Sequence, residues 1–164
     1  MVGIVIEMEL VGVRVEMRTN QPIVLLREVE GAHRLVPIFI GANEATAISL
    51  AVEGVEPPRP MTHDLFASTV AAVGASISRL VVTELRDKTF YAELQLSTGA
   101  DDVTVSARPS DGIALAVRTG TPIFVSEAVI DEAGYVDNEN VVADQVVEEF
   151  REFLDHVSPE DFES

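Results

Sequence analysis

The chain contains no cysteine and no tryptophan, and its aromatic side chains are limited to seven phenylalanines and two tyrosines. Without cysteine there can be no disulfide framework, no Cys-ligated zinc or iron–sulfur centre and no thiol nucleophile. Aromatic content of 5% gives little support to a base-stacking platform of the RRM or OB type. Positive charge is also scarce: 11 Lys and Arg against 28 Asp and Glu give a formal net charge of −17. Such a field repels phosphate backbones at long range and favours solubility. There is no long apolar run of the kind a membrane-spanning helix needs. Met1–Leu10 carries Glu7 and Glu9 but no basic stretch, unlike a signal peptide, so the expected location is cytoplasmic, with no membrane partner. GxGxxG, Walker, HExxH, GxSxG and EF-hand motifs are all missing, and His33, His63 and His156 lack metal-ligand spacing among themselves.

What remains is 164 residues, 47% of them apolar, with a mean hydropathy of +0.23. That describes a globular chain able to bury its own core, organised as a single domain with up to two lobes. The charge is uneven. Residues 1–126 hold 15 acids and 10 bases, whereas residues 127–164 hold 13 acids and one base, Arg151. A mildly acidic body over residues 1–135 is therefore followed, over 136–164, by an acidic C-terminal helix and frayed tail. Val142, Val146, Phe150, Phe153 and Val157 mark one face of that helix.

Period-two alternation identifies strands. Ile4, Ile6, Met8 and Leu10 share one phase; after Leu10 the phase flips to Val11, Val13, Val15 and Met17, as at a β-bulge or strand break beside Gly12. Ile23–Arg27 and Leu35–Ile40 follow as strands. The Ala-rich stretch from Gly41 to Val52 predicts a buried helix. A loop with Pro57, Pro58 and Pro60 leads to a second helix, capped by Thr62, with an inner stripe of Leu65, Phe66, Thr69, Val70 and Val73. Ile77–Leu85, Thr89–Leu96 and Val103–Ala107 read as an antiparallel meander. A third helix runs from Pro109 to Gly120, and Ile123–Val125 is a short strand. The expected class is α+β: a mostly antiparallel sheet with interleaved helices.

Two segments concentrate chemistry. Arg59-Pro60-Met61-Thr62-His63-Asp64 places a guanidinium, an imidazole and a carboxylate around one helix start. Arg108-Pro109-Ser110-Asp111 places a guanidinium, a hydroxyl and a carboxylate around another. Helix N-termini attract anions, and Arg adds bidentate phosphate contacts. Histidine moves protons near neutral pH. Glu44, in the first turn of an apolar helix, suits a metal ligand or general base. Ordinary capping and dipole compensation would use the same residues in the same places.

The strings Ile40-Gly41 to Ile48, Arg59 to Leu65, Thr89-Phe90-Tyr91-Ala92, Ala107 to Ala116 and Pro122 to Val125 resemble, in order and spacing, the bifunctional nuclease family over roughly residues 1–133. The resemblance implies a compact α+β domain that forms homodimers and hydrolyses DNA and RNA with little sequence preference, as attributed to plant members. Carried over by position, the motif residues are Glu44, Arg59, Thr62, His63, Asp64, Arg108, Ser110 and Asp111. Two positions depart from the family pattern: Ser106, where an acid and so a further metal ligand is common, and Gly112, where alanine is common. The resulting expectation is a nuclease. Arg59, Thr62, Arg108 and Ser110 hold phosphate, while Glu44, His63, Asp64 and Asp111 act in catalysis. Asp64, Asp111 and Glu44 would hold Mg²⁺ or Mn²⁺, with no organic cofactor. The alternative is a non-catalytic dimeric module binding an anion, a nucleotide or a protein.

Overall fold

A computed structural model describes residues 3–138. It contains β1 (Val5–Val15), β2 (Pro22–Glu28), β3 (Leu35–Phe39), α1 (Ala42–Val52), α2 (Thr62–Ala72), β4 (Ser76–Arg86), β5 (Thr89–Ser97), β6 (Asp102–Ala107), α3 (Pro109–Thr119), β7 (Ile123–Ser126) and α4 (Glu127–Ala133). Of the acidic helix and tail expected over 136–164, residues 139–164 lie outside the described residues.

All seven strands join one sheet in the order β3-β2-β1-β7-β4-β5-β6. Among the described residues, only the β4–β7 pair is parallel. This is the expected α+β fold with a mostly antiparallel sheet. Two meanders, β1–β2–β3 and β4–β5–β6, form the halves, and β7 is inserted between β1 and β4. The phase flip near Gly12 is a bulge within one continuous strand: Leu10 pairs with Leu26 and Gly12 with Leu25, so Val11 is the extra residue.

The core runs through Leu26, Val36, Ile48, Leu80, Val82, Ile113, Leu115 and Val125. Helix α3 is central to it and packs on α1, α2, β4 and β5. It packs against β4 at Gly112, where an added Cβ would overlap the side chain of Leu80. Gly120 ends α3 at φ 66°, a left-handed cap suited to glycine.

Two local expectations need correction. Thr62 does not cap α2; it is the first helical residue, after Met61. The capping carboxylate is Asp64, which reaches back to accept the Met61 backbone N–H at 2.9 Å. Nor do Leu65, Phe66 and Val73 face inward. All three are exposed, and the half-buried stripe of α2 is His63, Asp64, Ala67 and Val70. The helix is rotated because two polar residues of its first turn are drawn onto α3. Helix α4, which the sequence reading missed, continues directly from β7 and packs on β3, β4 and β7. Among the described residues, no helix is long and apolar enough to cross a membrane.

Candidate functional site

The first turns of α1, α2 and α3 meet. Asp111 lies in the first turn of α3, and His63 in that of α2; the two are 48 positions apart in the chain, yet His63 Nε2 lies 3.0 Å from Asp111 Oδ1. Arg108, just before Pro109, donates from Nε to Asp111 Oδ2 at 2.8 Å and from Nη2 to Asp111 Oδ1 at 3.0 Å. The same Nη2 donates to Glu44 Oε1, in the first turn of α1, at 2.9 Å. The two polar helix starts singled out in the sequence therefore converge, and Glu44 joins them.

Gly41 explains how Glu44 is placed. A Cβ there would run into the Glu44 carboxylate, which folds back over the start of α1. The bond from its own backbone N–H, followed by the one from Arg108, lowers the Glu44 pKa. For Asp111, burial pushes the pKa up, but hydrogen bonds from Arg108 and His63 outweigh it and leave the carboxyl below its usual range. The Arg108 guanidinium is held still more firmly protonated by Asp111 and Glu44.

An ionised Asp111 can only accept hydrogen bonds, so His63 Nε2 carries the proton in this pair. Nδ1 is then the nitrogen with the available lone pair; among the described residues it has no hydrogen-bond partner. Arg108 is 63% exposed, and its Nη1 makes no hydrogen bond among the described residues. The cluster thus offers an oriented imidazole beside a guanidinium edge open to an anion.

Asp64 takes a different part. Arg118 Nε donates to Asp64 Oδ1 at 2.8 Å, while Nη1 and Nη2 donate to the carbonyls of Ala114 and Ala47 at 2.7 and 3.0 Å. The Arg118 bond, then that from the Met61 N–H, lowers the Asp64 pKa. Arg118 is mostly buried and ties together α1, α2 and α3. Sequence reasoning missed it, although a lone arginine ending the apolar run Ile113–Val117 was a readable signal.

Among the described residues, no side-chain hydrogen bond or ion pair joins the remaining expected residues to the cluster. Arg59 is exposed, with no ion pair or hydrogen bond among the described residues. Thr62 is exposed at the start of α2, and Ser110 is buried in α3. Ser106 is exposed on β6, opposite Glu93. The three carboxylates expected to share a divalent ion do not form a common set: Glu44 and Asp111 converge on Arg108, and Asp64 turns to Arg118. Among the described residues, no group of three or more His, Asp or Glu side chains is placed to hold a metal. As arranged, this donor set does not fit a Mg²⁺ or Mn²⁺ cage.

Residues 24–138 match the family model described as the bifunctional nuclease domain. The chain belongs to this family. The matched region spans all the residues that form the cluster. Within the bifunctional nuclease domain, then, the convergence of helix starts is built by the motif segments themselves. The chain is also 48% identical to "Uncharacterized protein Rv1829" of Mycobacterium tuberculosis, over 96% of this chain and 98% of that protein. It is 27% identical to "Bifunctional nuclease 2" of Oryza sativa subsp. japonica, over 66% of this chain and 34% of the relative. Identity with "Bifunctional nuclease 1" of Arabidopsis thaliana is 28%, over 65% of this chain and 34% of the relative. The domain thus spans about a third of each plant protein.

Proposed function

We propose that the protein is a phosphodiesterase that hydrolyses DNA and RNA, with the cluster around Arg108 and His63 as its active site. The observation that carries the reading is the 3.0 Å contact of His63 with Asp111 beside an exposed Arg108. In the proposed reaction Arg108 Nη1 binds a non-bridging oxygen of the scissile phosphate and stabilises the charge that grows on it. His63 Nδ1 takes a proton from the attacking water as its oxygen bonds to phosphorus. The ester P–O bond breaks, and the departing alkoxide takes a proton from solvent. Asp111 orients the imidazole and stabilises its protonated form. Glu44 holds the inner edge of Arg108, so that Nη1 faces outward. Arg59, exposed and carrying no counter-ion among the described residues, supplies a further contact to the polyanion.

No step is routed through a metal, since Arg108 occupies the carboxylates an ion would need. Cleavage is expected to persist in EDTA; its loss would mean that Arg108 yields Glu44 and Asp111 to an ion. The direct test is an assay on single-stranded DNA and RNA with wild type, His63→Ala and Arg108→Ala. Both variants are expected to lose about 100-fold or more. Equal residual activity in all three would point to a contaminating nuclease.

The fuller reading includes a homodimer. The exposed Leu65, Phe66 and Val73 of α2, with Val103 and Val105 on edge strand β6, are the apolar surfaces that support it. The competing non-catalytic reading is favoured by one observation: every carboxylate of the cluster already has a guanidinium partner.

A further inference from the structure

A cleft of about 460 Å³ opens on the outer side of Arg108. Its walls come from separate parts of the chain. Arg108 and Ser110 lie at the start of α3, Lys88 and Phe90 at the β4–β5 hairpin, Phe39 at the end of β3, and Gln21 in the β1–β2 turn.

Its lining holds two cations and no carboxylate, in a chain of net charge −17. Two other clefts each mix arginine with acids. Ser110 is only 6% exposed, yet its hydroxyl has no hydrogen-bond partner among the described residues. No described polar side-chain atom is both fully enclosed and unsatisfied, so the Ser110 hydroxyl keeps some access, and Ser110 is one of the residues lining the cleft. Lys88 sits in the two-residue turn of the β4–β5 hairpin: Asp87 and Lys88 have φ of 50° and 63°, the left-handed region that glycine and asparagine favour. No ion pair engages Lys88 among the described residues. Phe39, 54% exposed, and Phe90 supply apolar wall.

Unpaired cation, unpartnered hydroxyl and aromatic face are the complement of a phosphate joined to a flat heterocycle. We propose that this cleft is a nucleotide subsite. It holds the nucleotide next to the bond being cut, with its phosphate between Lys88 and Ser110 and its base against Phe39. The inference rests on the nucleic-acid reading of the Arg108 cluster, because Arg108 is the wall the two share. A base reaches Phe39 only when unstacked from its neighbour, so the subsite takes an unpaired nucleotide.

The test is fluorescence anisotropy with a short fluorescein-labelled single-stranded oligonucleotide, in the His63→Ala background so that the probe survives. Lys88→Asn removes the charge but keeps a residue that tolerates the turn; Phe39→Ala removes an exposed ring from an edge strand. Each is expected to weaken binding about tenfold or more, whereas Arg79→Ala, which alters a cation engaged with Gln95 and Phe124, leaves it unchanged. Unchanged affinity in both cleft variants, with wild-type cleavage intact, would overturn the subsite and leave the nuclease reading standing. A protein that neither binds nor cuts the oligonucleotide would overturn both.

Discussion

At the scale of single residues, chemistry and architecture fall to different members of one polar cluster. Arg118 is architectural: mostly buried, it joins Asp64 to the carbonyls of Ala47 and Ala114. Arg118→Ala would leave Asp64 without its partner, and a loss of about 2–4 kcal/mol is expected, read as a lower denaturant midpoint. Asp111→Asn keeps the shape but gives His63 Nε2 a neutral partner. It is expected to lower cleavage about 100-fold and, because Arg108 loses its ionised partner, to lower the melting temperature by only a few degrees with the circular dichroism spectrum unchanged. Gly41→Ala would displace the Glu44 carboxylate and so loosen Arg108. The residues of the cluster were legible in the sequence as two polar helix starts and one acid on an apolar helix. Their pairing was not. Asp64 looked like a site carboxylate until Arg118 claimed it, and nothing local links positions 64 and 118.

At the scale of elements, strands were readable because β1 and β5 carry a period-two pattern, down to the bulge at Val11, and β2, β3 and β7 are short apolar runs bounded by turn residues. Helix orientation about its axis was less so. In α2 the apolar residues suggested an inward face, but ion pairing turned the His63–Asp64 side inward and left Leu65 and Phe66 in solvent. Helix α4 went unread since seven residues hold too few turns to show a period. The exposed apolar side of α2 carries a prediction of its own. The double substitution Leu65→Ser, Phe66→Ser should change monomer stability by no more than about 0.5 kcal/mol per site. In sedimentation equilibrium it should shift the mass from dimer toward monomer. A wild-type protein already monomeric at high concentration would contradict the dimer.

At the scale of the whole molecule, ion pairs also occur away from the site, as between Arg27 and Glu9. Besides the Arg108 and Arg118 clusters, the buried Glu28 bonds Arg34, which also reaches Asp131 before the isolated bridge between Leu35 and Tyr135. The Arg34 hydrogen bond, stronger than the opposing effect of burial, lowers the Glu28 pKa. Glu28, Glu44, Asp64 and Asp111 therefore all titrate below their usual range in the folded state. Depressed carboxyl values stabilise the fold fully above the ordinary carboxylate range and lose that contribution as pH falls through the lowered values. The melting temperature is thus expected to hold steady from neutral pH to about 5 and to drop below about 4. A net charge of −17 further implies that any polyanion binds only where local cations outweigh the global field, so its binding should depend only shallowly on salt, which screens the few local cations and the global repulsion alike.

The most direct measurement compares rates of oligonucleotide cleavage by highly purified wild type, His63→Ala, Arg108→Ala and Arg118→Ala, each checked for folding by circular dichroism. Expected is a loss of about 100-fold or more in the first two variants with the fold intact. Folded His63→Ala and Arg108→Ala proteins that cut as fast as wild type would contradict the assignment of the active site.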